Sequence, residues 1–421
     1  MLSSSGQVNR SELNTSRDPS VEYDVDVPCE IVVVGGCGHV GLPLAVALAD
    51  RGRKVVSYDI NPVAIELVNS GVMPFGEPGA SEVLRRVVRA GAFRASDDPS
   101  TIEEAQVVIV VIGTPVDEHL NPDAEAVPRA VSELLPHLRS GQLLVLRSTV
   151  YPGVTKLVQQ RLMEAATGIE VAFCPERIAE GKAFTELFEL PQIVSGYSEG
   201  AVARATALFK TLTADVVVTT PEEAELAKLF TNTWRYIKFA AANQFYTIAN
   251  DFGVDFERVR HAITHNYPRA KDMPGAGFAA GPCLFKDTMQ LAAFNNNNFT
   301  LGHASMMVNE GLPLYVVSRM ERRFDLSKMT VGILGMSFKA ENDDTRSSLS
   351  YKLKRILRFK AREVVCTDEY VTTDPSLVSL EETLSRADVL VVGTPHNRYS
   401  SIVTDKPVFD VWNIRGEGVL M

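Results

Sequence analysis

The sequence is poor in cysteine and histidine, with five and seven in 421 residues. The cysteines are scattered, their number is odd, and no C-x-x-C pair occurs. This distribution argues against a disulfide framework and a zinc ribbon, and it favours a reducing cytoplasm. The sequence therefore predicts a cytoplasmic protein without a metal site.

Long apolar runs are also missing, since no stretch approaches the roughly 18–20 residues needed to span a bilayer. The first 27 residues are polar and of mixed charge, and without the apolar core of a signal peptide they are predicted to form a flexible tail. The formal net charge is −10, which argues against nucleic acid or an anionic membrane as a main partner.

What the sequence does contain is an alternation of apolar strands and helices from about Cys29 to Asp215. Strands are predicted at EIVVVG, KVVSYD, AQVVIVVIG, QLLVLRS and EVAFC. Their unbroken β-branched runs suit a sheet that is buried on both faces. Helices such as LPLAVALADRG, closed by Gly52, fit between them. This alternation is typical of a doubly wound parallel sheet.

The middle of the chain is predicted to be mainly helical. From Glu222 to Gly253 the apolar residues recur at helical spacing without an internal glycine or proline, which predicts one long helix. After Thr330 strands return, and ADVLVVGTP (387–395) resembles AQVVIVVIGTP (105–115). The predicted fold is α/β, with two Rossmann-like doubly wound parallel-sheet domains joined by a long central helix and a helical middle domain. The predicted boundaries are 1–27 for the tail, 28–215 for the first Rossmann-like domain, 216–325 for the helical domain and 326–421 for the second Rossmann-like domain.

A glycine-rich loop after the first strand predicts a dinucleotide site. Gly36, Gly38 and Gly41 form a G-x-G-x-x-G motif between a strand and a helix. In this motif the glycines permit a tight turn, close approach of a pyrophosphate and close helix packing, and the N–H groups at the helix start face the phosphates. Asp59 ends the next strand, where a carboxylate binds the ribose hydroxyls and repels a 2′-phosphate. The predicted cofactor is NAD.

Cys283 lies in a small-residue loop, GFAAGPCLFKDT. A lone cysteine is often a buried packing residue. Here Lys286 could favour the thiolate electrostatically, and Asp287 adds an acceptor that could orient water or a lysine. The residues alone leave a packing residue, a metal ligand and a nucleophile open.

Two further clusters carry polar groups suited to catalysis. Lys228 and Asn232 are spaced i, i+4 and share a helix face, although a lysine there can also extend to solvent. Glu176 and Glu180 follow a strand and a proline, and such paired acids suit general acid/base work or ribose binding. Beside an NAD domain, a thiol nucleophile suggests oxidation of an alcohol or aldehyde through a covalent thiol adduct. A single-hydride 3-hydroxyacid dehydrogenase of the 6-phosphogluconate type and a non-catalytic NAD-binding regulator are the alternatives.

A series of motifs follows in order along the chain: GCGHVGLPLA, EPG (77–79), GTP (113–115), RSTVYPG (147–153), CPERIAEGKA, ELAKLFTNTWR, GPCLFKDT and GMSFKAENDDTR. Together they resemble the UDP-glucose/GDP-mannose dehydrogenase family of NAD-dependent nucleotide-sugar 6-dehydrogenases, from Cys29 to about Arg415. Three segments look closer to the N-acetylhexosamine branch than to the UDP-glucose branch: CPER with EGKA, NTWR with AAAN, and GPCL.

The resemblance implies a four-electron oxidation of the C6 alcohol of a nucleotide-diphosphate hexose to a carboxylate, with two NAD⁺. The sugar is UDP- or TDP-glucose, or a UDP-N-acetylhexosamine. A thiohemiacetal and then a thioester form on Cys283. The resemblance also implies a homodimer through the central helix, and a sugar acid made for a polysaccharide or a secondary metabolite.

The same resemblance assigns catalytic roles residue by residue. Lys228 stabilises the developing oxyanion, and Asp287 and Asn232 orient that lysine and a catalytic water. Thr149 helps to hold the water, and Glu176 is the general acid/base at the thioester.

The binding residues that it implies fall into two sets. The cofactor contacts, besides the glycines and Asp59, are His39, Val40, Gly113, Thr114, Pro115, Thr149, Glu180, Lys286 and Arg346. The substrate contacts are Glu176, Arg177, Lys228, Asn232, Gly277, Phe278, Lys339 and, across the dimer interface, Arg269. The chain departs from the family pattern at Ala279 and Ala280, which are expected to narrow the loop beside the sugar.

Overall fold

The computed structural model describes residues 29–114, 116–117, 122–165 and 167–416. The predicted tail (1–27) and Pro115 lie outside the described residues.

The strands are β1 Ile31–Val34, β2 Val55–Tyr58, β3 Phe93–Ser96, β4 Val107–Val110, β5 Leu143–Leu146, β6 Glu170–Phe173, β7 Gln192–Gly196, β8 Val216–Thr219, β9 Thr330–Leu334, β10 Glu363–Thr367, β11 Val389–Val392 and β12 Val408–Phe409. The α-helices are α1 Gly41–Asp50, α2 Pro62–Asn69, α3 Ala80–Arg89, α4 Ser100–Glu104, α5 Ala126–Leu134, α6 Val154–Glu164, α7 Ala183–Glu189, α8 Glu199–Phe209, α9 Pro221–Phe252, α10 Phe256–Thr264, α11 Leu284–Phe294, α12 Thr300–Glu321, α13 Leu349–Leu357 and α14 Leu380–Arg386. Short 3₁₀ turns lie at Leu135–His137, Leu326–Lys328 and Asn397–Ser401.

The first sheet has eight strands in the order β3-β2-β1-β4-β5-β6-β7-β8. Its order reverses between β1 and β4, the place where a doubly wound sheet opens a crevice at its carboxyl edge. Ile31 and Val33 pack into the core on one face of β1, and Val32 and Val34 pack into the core on the other. The α/β fold class predicted from the sequence is confirmed.

One part of the first sheet departs from the parallel pattern. β7 runs antiparallel to β6, and β8 runs parallel to β7. Between β6 and β7 the chain forms only the seven-residue helix α7, which contacts α1. The chain therefore turns back beside β6 without the crossover that a parallel neighbour needs.

The second sheet has four parallel strands in the order β10-β9-β11-β12. β11, which echoes β4 in sequence, lies next to β9 as β4 lies next to β1. Asp368 follows β10 as Asp59 follows β2. The repeated sequence pattern thus corresponds to a repeated position in a sheet.

Helix α9 is a single helix of 32 residues between the two sheets in the chain. Thr220 and Glu223 form a capping box at its start, and Pro221 occupies its first turn. Gly253, at φ +81°, ends it. The long helix predicted from Glu222 to Gly253 is confirmed. Across the ranges given above, no helix is both long and apolar enough to cross a bilayer.

Candidate active site

The glycine loop after β1 has the shape that a dinucleotide needs. A Cβ at Gly36 would lie 2.5 Å from Ser57 Oγ and from the carbonyl oxygen of Val33. A Cβ at Gly38 would meet nothing closer than 3.6 Å. Packing therefore requires the first glycine, whereas Gly38 leaves room over the backbone for a pyrophosphate. The residues present fit a bound NAD.

Asp59 sits beside this loop at the end of β2. Its Oδ2 accepts a hydrogen bond from the amide of Cys37 at 2.9 Å, and its Oδ1 accepts one from the amide of Asn61 at 3.1 Å. The carboxylate is half-buried, so a ribose can reach it. His39 and Val40, which continue the loop, are half-buried as well.

The other wall of the crevice comes from the end of β4. A Cβ at Gly113 would meet no atom within 4 Å, and Thr114 Oγ1 donates a hydrogen bond to the carbonyl oxygen of Thr149 at 2.7 Å. Lys286 Nζ donates a hydrogen bond to Thr114 Oγ1 at 3.2 Å. This last contact joins the cofactor crevice to α11, which begins directly after Cys283.

The groups predicted to act with Cys283 meet between α9 and α11. Asn232 Nδ2 donates a hydrogen bond to Asp287 Oδ2 at 2.6 Å, and Lys286 Nζ lies 2.9 Å from Asp287 Oδ1. Asp287 is fully buried, and Lys228 is 8% exposed. Within the described part of the chain, the Lys228 ammonium has no hydrogen-bond or ion-pair partner. It is close enough to the Cys283 sulfur to stabilise the thiolate.

The Cys283 thiol is accessible to solvent but enclosed by protein on most sides. This enclosure, together with the charge of Asp287, raises the pKa of the thiol. Lys228 and Lys286 act in the opposite direction and lower that pKa. The ligand-free site therefore holds mostly thiol at neutral pH, and nearby positive charge favours its ionisation.

Replacing Asp287 by asparagine is expected to make Cys283 react faster with iodoacetamide at pH 8. The substitution removes a negative charge that disfavours the thiolate, so the pKa of the thiol falls and the thiolate fraction rises. The rate of alkylation, measured by mass spectrometry from pH 7 to 10, should rise at lower pH in the variant than in the wild type. An unshifted profile would contradict this electrostatic account.

Glu180 lies between the first sheet and the segment after β9. Its Oε1 is 2.9 Å from Arg346 Nη2 and 3.3 Å from His39 Nε2. Arg346 also binds both carboxylate oxygens of Asp344, and Lys339 Nζ donates to the carbonyl oxygen of Glu180 at 2.8 Å. Burial and the neighbouring Asp344 raise the pKa of Glu180 to about 8.

The ligand atoms of His39, Glu180 and Asp344 lie within 4.8 Å of one another. The guanidinium of Arg346 already binds both carboxylates. In this structure the three side chains therefore belong to an ion-pair network around Arg346.

Glu176 is held by a different set of contacts. Its Oε2 accepts hydrogen bonds from the fully buried guanidinium of Arg147, through Nε at 2.9 Å and through Nη2. Its Oε1 accepts bonds from the amides of Arg177 and Ile178 at 2.7 and 3.0 Å. The orientation of this carboxylate is thus fixed by four donors. The Arg177 side chain donates to the carbonyl oxygen of Pro191.

Some predicted binding residues lie away from this cluster. Arg269 is exposed and stacks on the ring of Tyr267, with its guanidinium carbon 4.7 Å from the ring centroid. Phe278 is 4% exposed and packs against Trp412. Ala279 is buried with Tyr236 and Leu284. Its methyl group therefore packs into this core, and the narrowing of the loop by Ala279 and Ala280 stays a prediction.

Several residues that organise the site were not predicted. Buried Glu77 accepts hydrogen bonds from the amides of Gly181 and Phe184, next to Glu180. Buried Glu225 accepts bonds from the amides of Gly153 and Thr155, at the start of α6. Glu225 is three residues before Lys228 on the same helix. Its position between apolar residues of the helix is the sequence feature that could have predicted a buried, hydrogen-bonded acid.

Comparisons with known proteins match nearly the whole of the described chain. Residues 29–213, 222–310 and 332–417 match, in turn, the NAD binding, central and UDP binding domain models of the UDP-glucose/GDP-mannose dehydrogenase family. A curated UDP-N-acetyl-D-mannosamine dehydrogenase of Pyrococcus horikoshii is 32% identical over 385 residues, which covers 88% of this chain and 90% of the relative.

Two solved structures have the same fold over nearly the whole chain. One is a UDP-D-ManNAc dehydrogenase from Pyrococcus horikoshii, with 29% identity, a TM-score of 0.86 and coverage of 93% of this chain and 97% of the other. The second is a UDP-glucose dehydrogenase from Pyrobaculum islandicum, with 28% identity, a TM-score of 0.85 and coverage of 97% of both chains.

Proposed function

Because the chain belongs to the UDP-glucose/GDP-mannose dehydrogenase family, whose members are NAD-dependent oxidoreductases acting on CH–OH, we propose that it oxidises the C6 alcohol of a nucleotide-diphosphate hexose to a carboxylate. The balanced reaction consumes one sugar alcohol, one water and two NAD⁺, and releases one carboxylate, two NADH and three protons. We propose that 28–215 binds NAD, 216–325 supplies the catalytic helices and 326–421 binds the nucleotide sugar.

The observation that carries this proposal is the ammonium of Lys228, which acts on Cys283 and has no hydrogen-bond or ion-pair partner among the described residues. A positive charge on a side chain that is only 8% exposed suits a site where negative charge develops on a substrate oxygen. When bound, NAD⁺ supplies the hydride acceptor for each of the two oxidations. Lys228 stabilises the oxyanion of the C6 alcohol and later that of the thiohemiacetal.

Cys283 explains why the aldehyde is not released. Its thiolate adds to the aldehyde carbon, so that a C–S bond forms and the carbonyl oxygen becomes an oxyanion facing Lys228. After the second oxidation the carbon is held as a thioester, and water cleaves the C–S bond to return the thiol. We assign Thr149 and the Asn232–Asp287 pair to hold that water. We assign Glu176, whose carboxylate is fixed by Arg147, to the acid/base step.

We propose a UDP-N-acetylhexosamine, with UDP-N-acetyl-D-mannosamine first, as the substrate. The support is the name of the curated relatives at 29–32% identity and the three segments of N-acetylhexosamine type. Lys339 and Arg346 connect Glu180 to the segment after β9. We assign Lys339 to the nucleotide sugar and Arg346 to the cofactor. Arg269 is assigned to a sugar bound by the second copy of a dimer.

A panel of nucleotide sugars tests this function. UDP-N-acetylmannosamine, UDP-N-acetylglucosamine, UDP-glucose and TDP-glucose are each incubated with NAD⁺ at limiting sugar, and NADH and the uronate are counted. The expected result is two NADH for each sugar consumed. One NADH per sugar would show a single-hydride dehydrogenase, and no turnover with any of the four would contradict the proposal.

We also propose that the chain forms a homodimer through α9. Five large apolar side chains on one face of this helix are between 50% and 82% exposed: Phe230, Trp234, Phe245, Ile248 and Phe252. Met307 and Leu314 of α12 are exposed as well, at 69% and 54%. An apolar face of this extent is typical of a subunit interface.

The double substitution Trp234→Glu and Ile248→Glu is expected to convert the dimer into a monomer, because each glutamate would bury a charge in an apolar interface. Light scattering after gel filtration measures the mass. A matched control is Phe359→Glu, since Phe359 is 86% exposed but follows α13 and should leave the dimer intact. A wild-type chain that runs as a monomer, or a double variant that remains a dimer, would contradict the proposal.

A further inference from the structure

The loop that carries Cys283 is held by hydrogen bonds to a buried side-chain amide. Asn243 of α9 accepts a hydrogen bond from the amide of Gly277 at 2.9 Å and donates one to the carbonyl oxygen of the same residue at 3.0 Å. The side chain therefore pairs with the backbone of Gly277 as a neighbouring strand would. Asn243 is fully buried.

A second amide holds the first in place. Asn243 Nδ2 also donates to Asn309 Oδ1 of α12 at 2.9 Å, and Asn309 Nδ2 donates to the carbonyl oxygen of Tyr236 at 3.1 Å. Asn309 is also fully buried. A buried donor left without a partner is destabilising, so the hydrogen bonds of each amide fix the orientation of the other.

The opposite side of Gly277 is covered by Trp412, which follows β12 in the second sheet. A Cβ at Gly277 would overlap the six-membered part of the indole. The indole packs edge-on against Phe278, with ring centroids 6.1 Å apart, and its Nε1 donates to the carbonyl oxygen of Gly393 at 3.2 Å. Gly277 is thus held between α9 and the second sheet.

The segment between β9 and α13 contacts the loop again next to Cys283. The amide of Gly281 donates to the carbonyl oxygen of Ser347 at 3.4 Å, and a Cβ at Gly281 would lie 2.8 Å from the ring of Phe338. Between these two anchors, Ala279 is buried against α9 and α11. The segment from Gly277 to Cys283 therefore has little freedom to move independently of its anchors.

We propose that Asn243 and Trp412 are positioning residues that clamp Gly277 and thereby set where Cys283 presents its sulfur. The clamp couples the second sheet to the nucleophile, and its role in sugar oxidation rests on the proposed function. A sulfur displaced by about 1 Å would reduce the rate about a hundred-fold, because nucleophilic attack requires close alignment. The side-chain hydrogen bonds of Asn243 and Trp412 do not reach the loop after β1, where NAD binds.

Asn243→Ala and Trp412→Leu test the clamp through two readouts. The first is the rate at which iodoacetamide alkylates Cys283 in the full chain without ligands, followed by mass spectrometry. The second is the separate measurement of kcat, of KM for the sugar and of KM for NAD. We expect at least about a three-fold change in alkylation rate and at least about a ten-fold loss of kcat in each variant, with KM for NAD unchanged.

The matched control is Asn250→Ala, which removes a buried amide (2% exposed) from the same helix two turns further along. It should lower the resistance to urea but leave the alkylation rate unchanged. An unchanged alkylation rate in Asn243→Ala and Trp412→Leu would overturn the clamp. A change shared with Asn250→Ala would overturn it as well, because it would reflect general loosening.

A second control lies in the loop itself. A Cβ at Gly275 would meet only Glu257 Oε1, at 3.4 Å, so Gly275→Ala should leave the alkylation rate unchanged. Gly277→Ala should change it, because its Cβ would overlap the indole of Trp412. An unchanged rate in Gly277→Ala would contradict the close packing on which the clamp depends. Alkylation needs no sugar, so the clamp can be tested even if the proposed oxidation fails.

Discussion

Replacing Cys283 by serine is expected to lower the rate of carboxylate formation by about a thousand-fold or more, because the proposed covalent nucleophile is lost. A serine hydroxyl ionises far less readily than a thiol, and the charge of Lys228 is not enough to offset that difference. Oxidation to the aldehyde does not need the thiol, so at most one NADH per active site should appear rapidly. Mass spectrometry of the product and of the intact protein measures both outcomes, including an ester trapped on the serine.

A matched substitution for this experiment is Cys29→Ser. Cys29 is half-buried at the start of β1, and burial raises the pKa of its thiol to about 11. Its sulfur donates to the carbonyl oxygen of Ile31 at 3.2 Å, a bond that a serine can keep. This variant should retain wild-type turnover. Uronate released by Cys283→Ser at a near wild-type rate would show that the nucleophile has been assigned wrongly.

Replacing Lys228 by methionine is expected to lower kcat by about 10²–10³-fold, the effect of removing a donor to a developing oxyanion. Methionine keeps most of the buried aliphatic length of the lysine, so the fold should persist. Because Lys228 also lowers the pKa of the Cys283 thiol, its loss should raise that pKa and slow alkylation at pH 8. Steady-state kinetics at saturating NAD, together with the alkylation profile, measures the two effects.

Lys238→Met provides the comparison on the same helix. Lys238 Nζ is 3.1 Å from Asp272 Oδ2, and the side chain of Asp272 is 62% exposed, so this surface ion pair should contribute little. Its loss should change kcat by less than about two-fold. If Lys228→Met retained more than about a tenth of the wild-type kcat, the oxyanion role would be contradicted.

The parts of the fold that could be predicted from the sequence are those with a strong local signal. β1 is a run of four apolar residues before a glycine loop, and α9 has helical periodicity, a capping box and a terminal glycine. β3, β7 and β8 were not predicted. β8 reads VVVT, and it is an edge strand that begins just after the segment predicted to alternate strands and helices. β3 reads FRAS and β7 reads QIVSG, so each is short and partly polar. Their pairing with neighbouring strands, not their own composition, stabilises them.

In the candidate site, too, some features have a local sequence signal and others depend on how the chain folds. The spacing of Lys228 and Asn232 predicts a shared helix face, but the contact of Asn232 with Asp287 depends on how α9 and α11 pack. Glu180 and Arg346 are far apart in the chain and meet because the segment after β9 folds back over the first sheet. Such contacts have no local signal. The resemblance to the family supplied both residues, whereas Arg147 and Asn243 became evident only in three dimensions.

The length of α9 has a consequence for any redesign of this chain. An α-helix turns about 100° and rises about 1.5 Å per residue, so this helix is a rod of about 48 Å. Along it, Lys228 and Asn232 point to α11, Asn243 points to Gly277, and Trp234 and Ile248 point outward. One residue inserted between Asn232 and Asn243 would rotate everything beyond it by about 100°. The helix therefore sets an angular phase as well as a distance, and exchange of its segments between relatives should succeed only when that phase is kept.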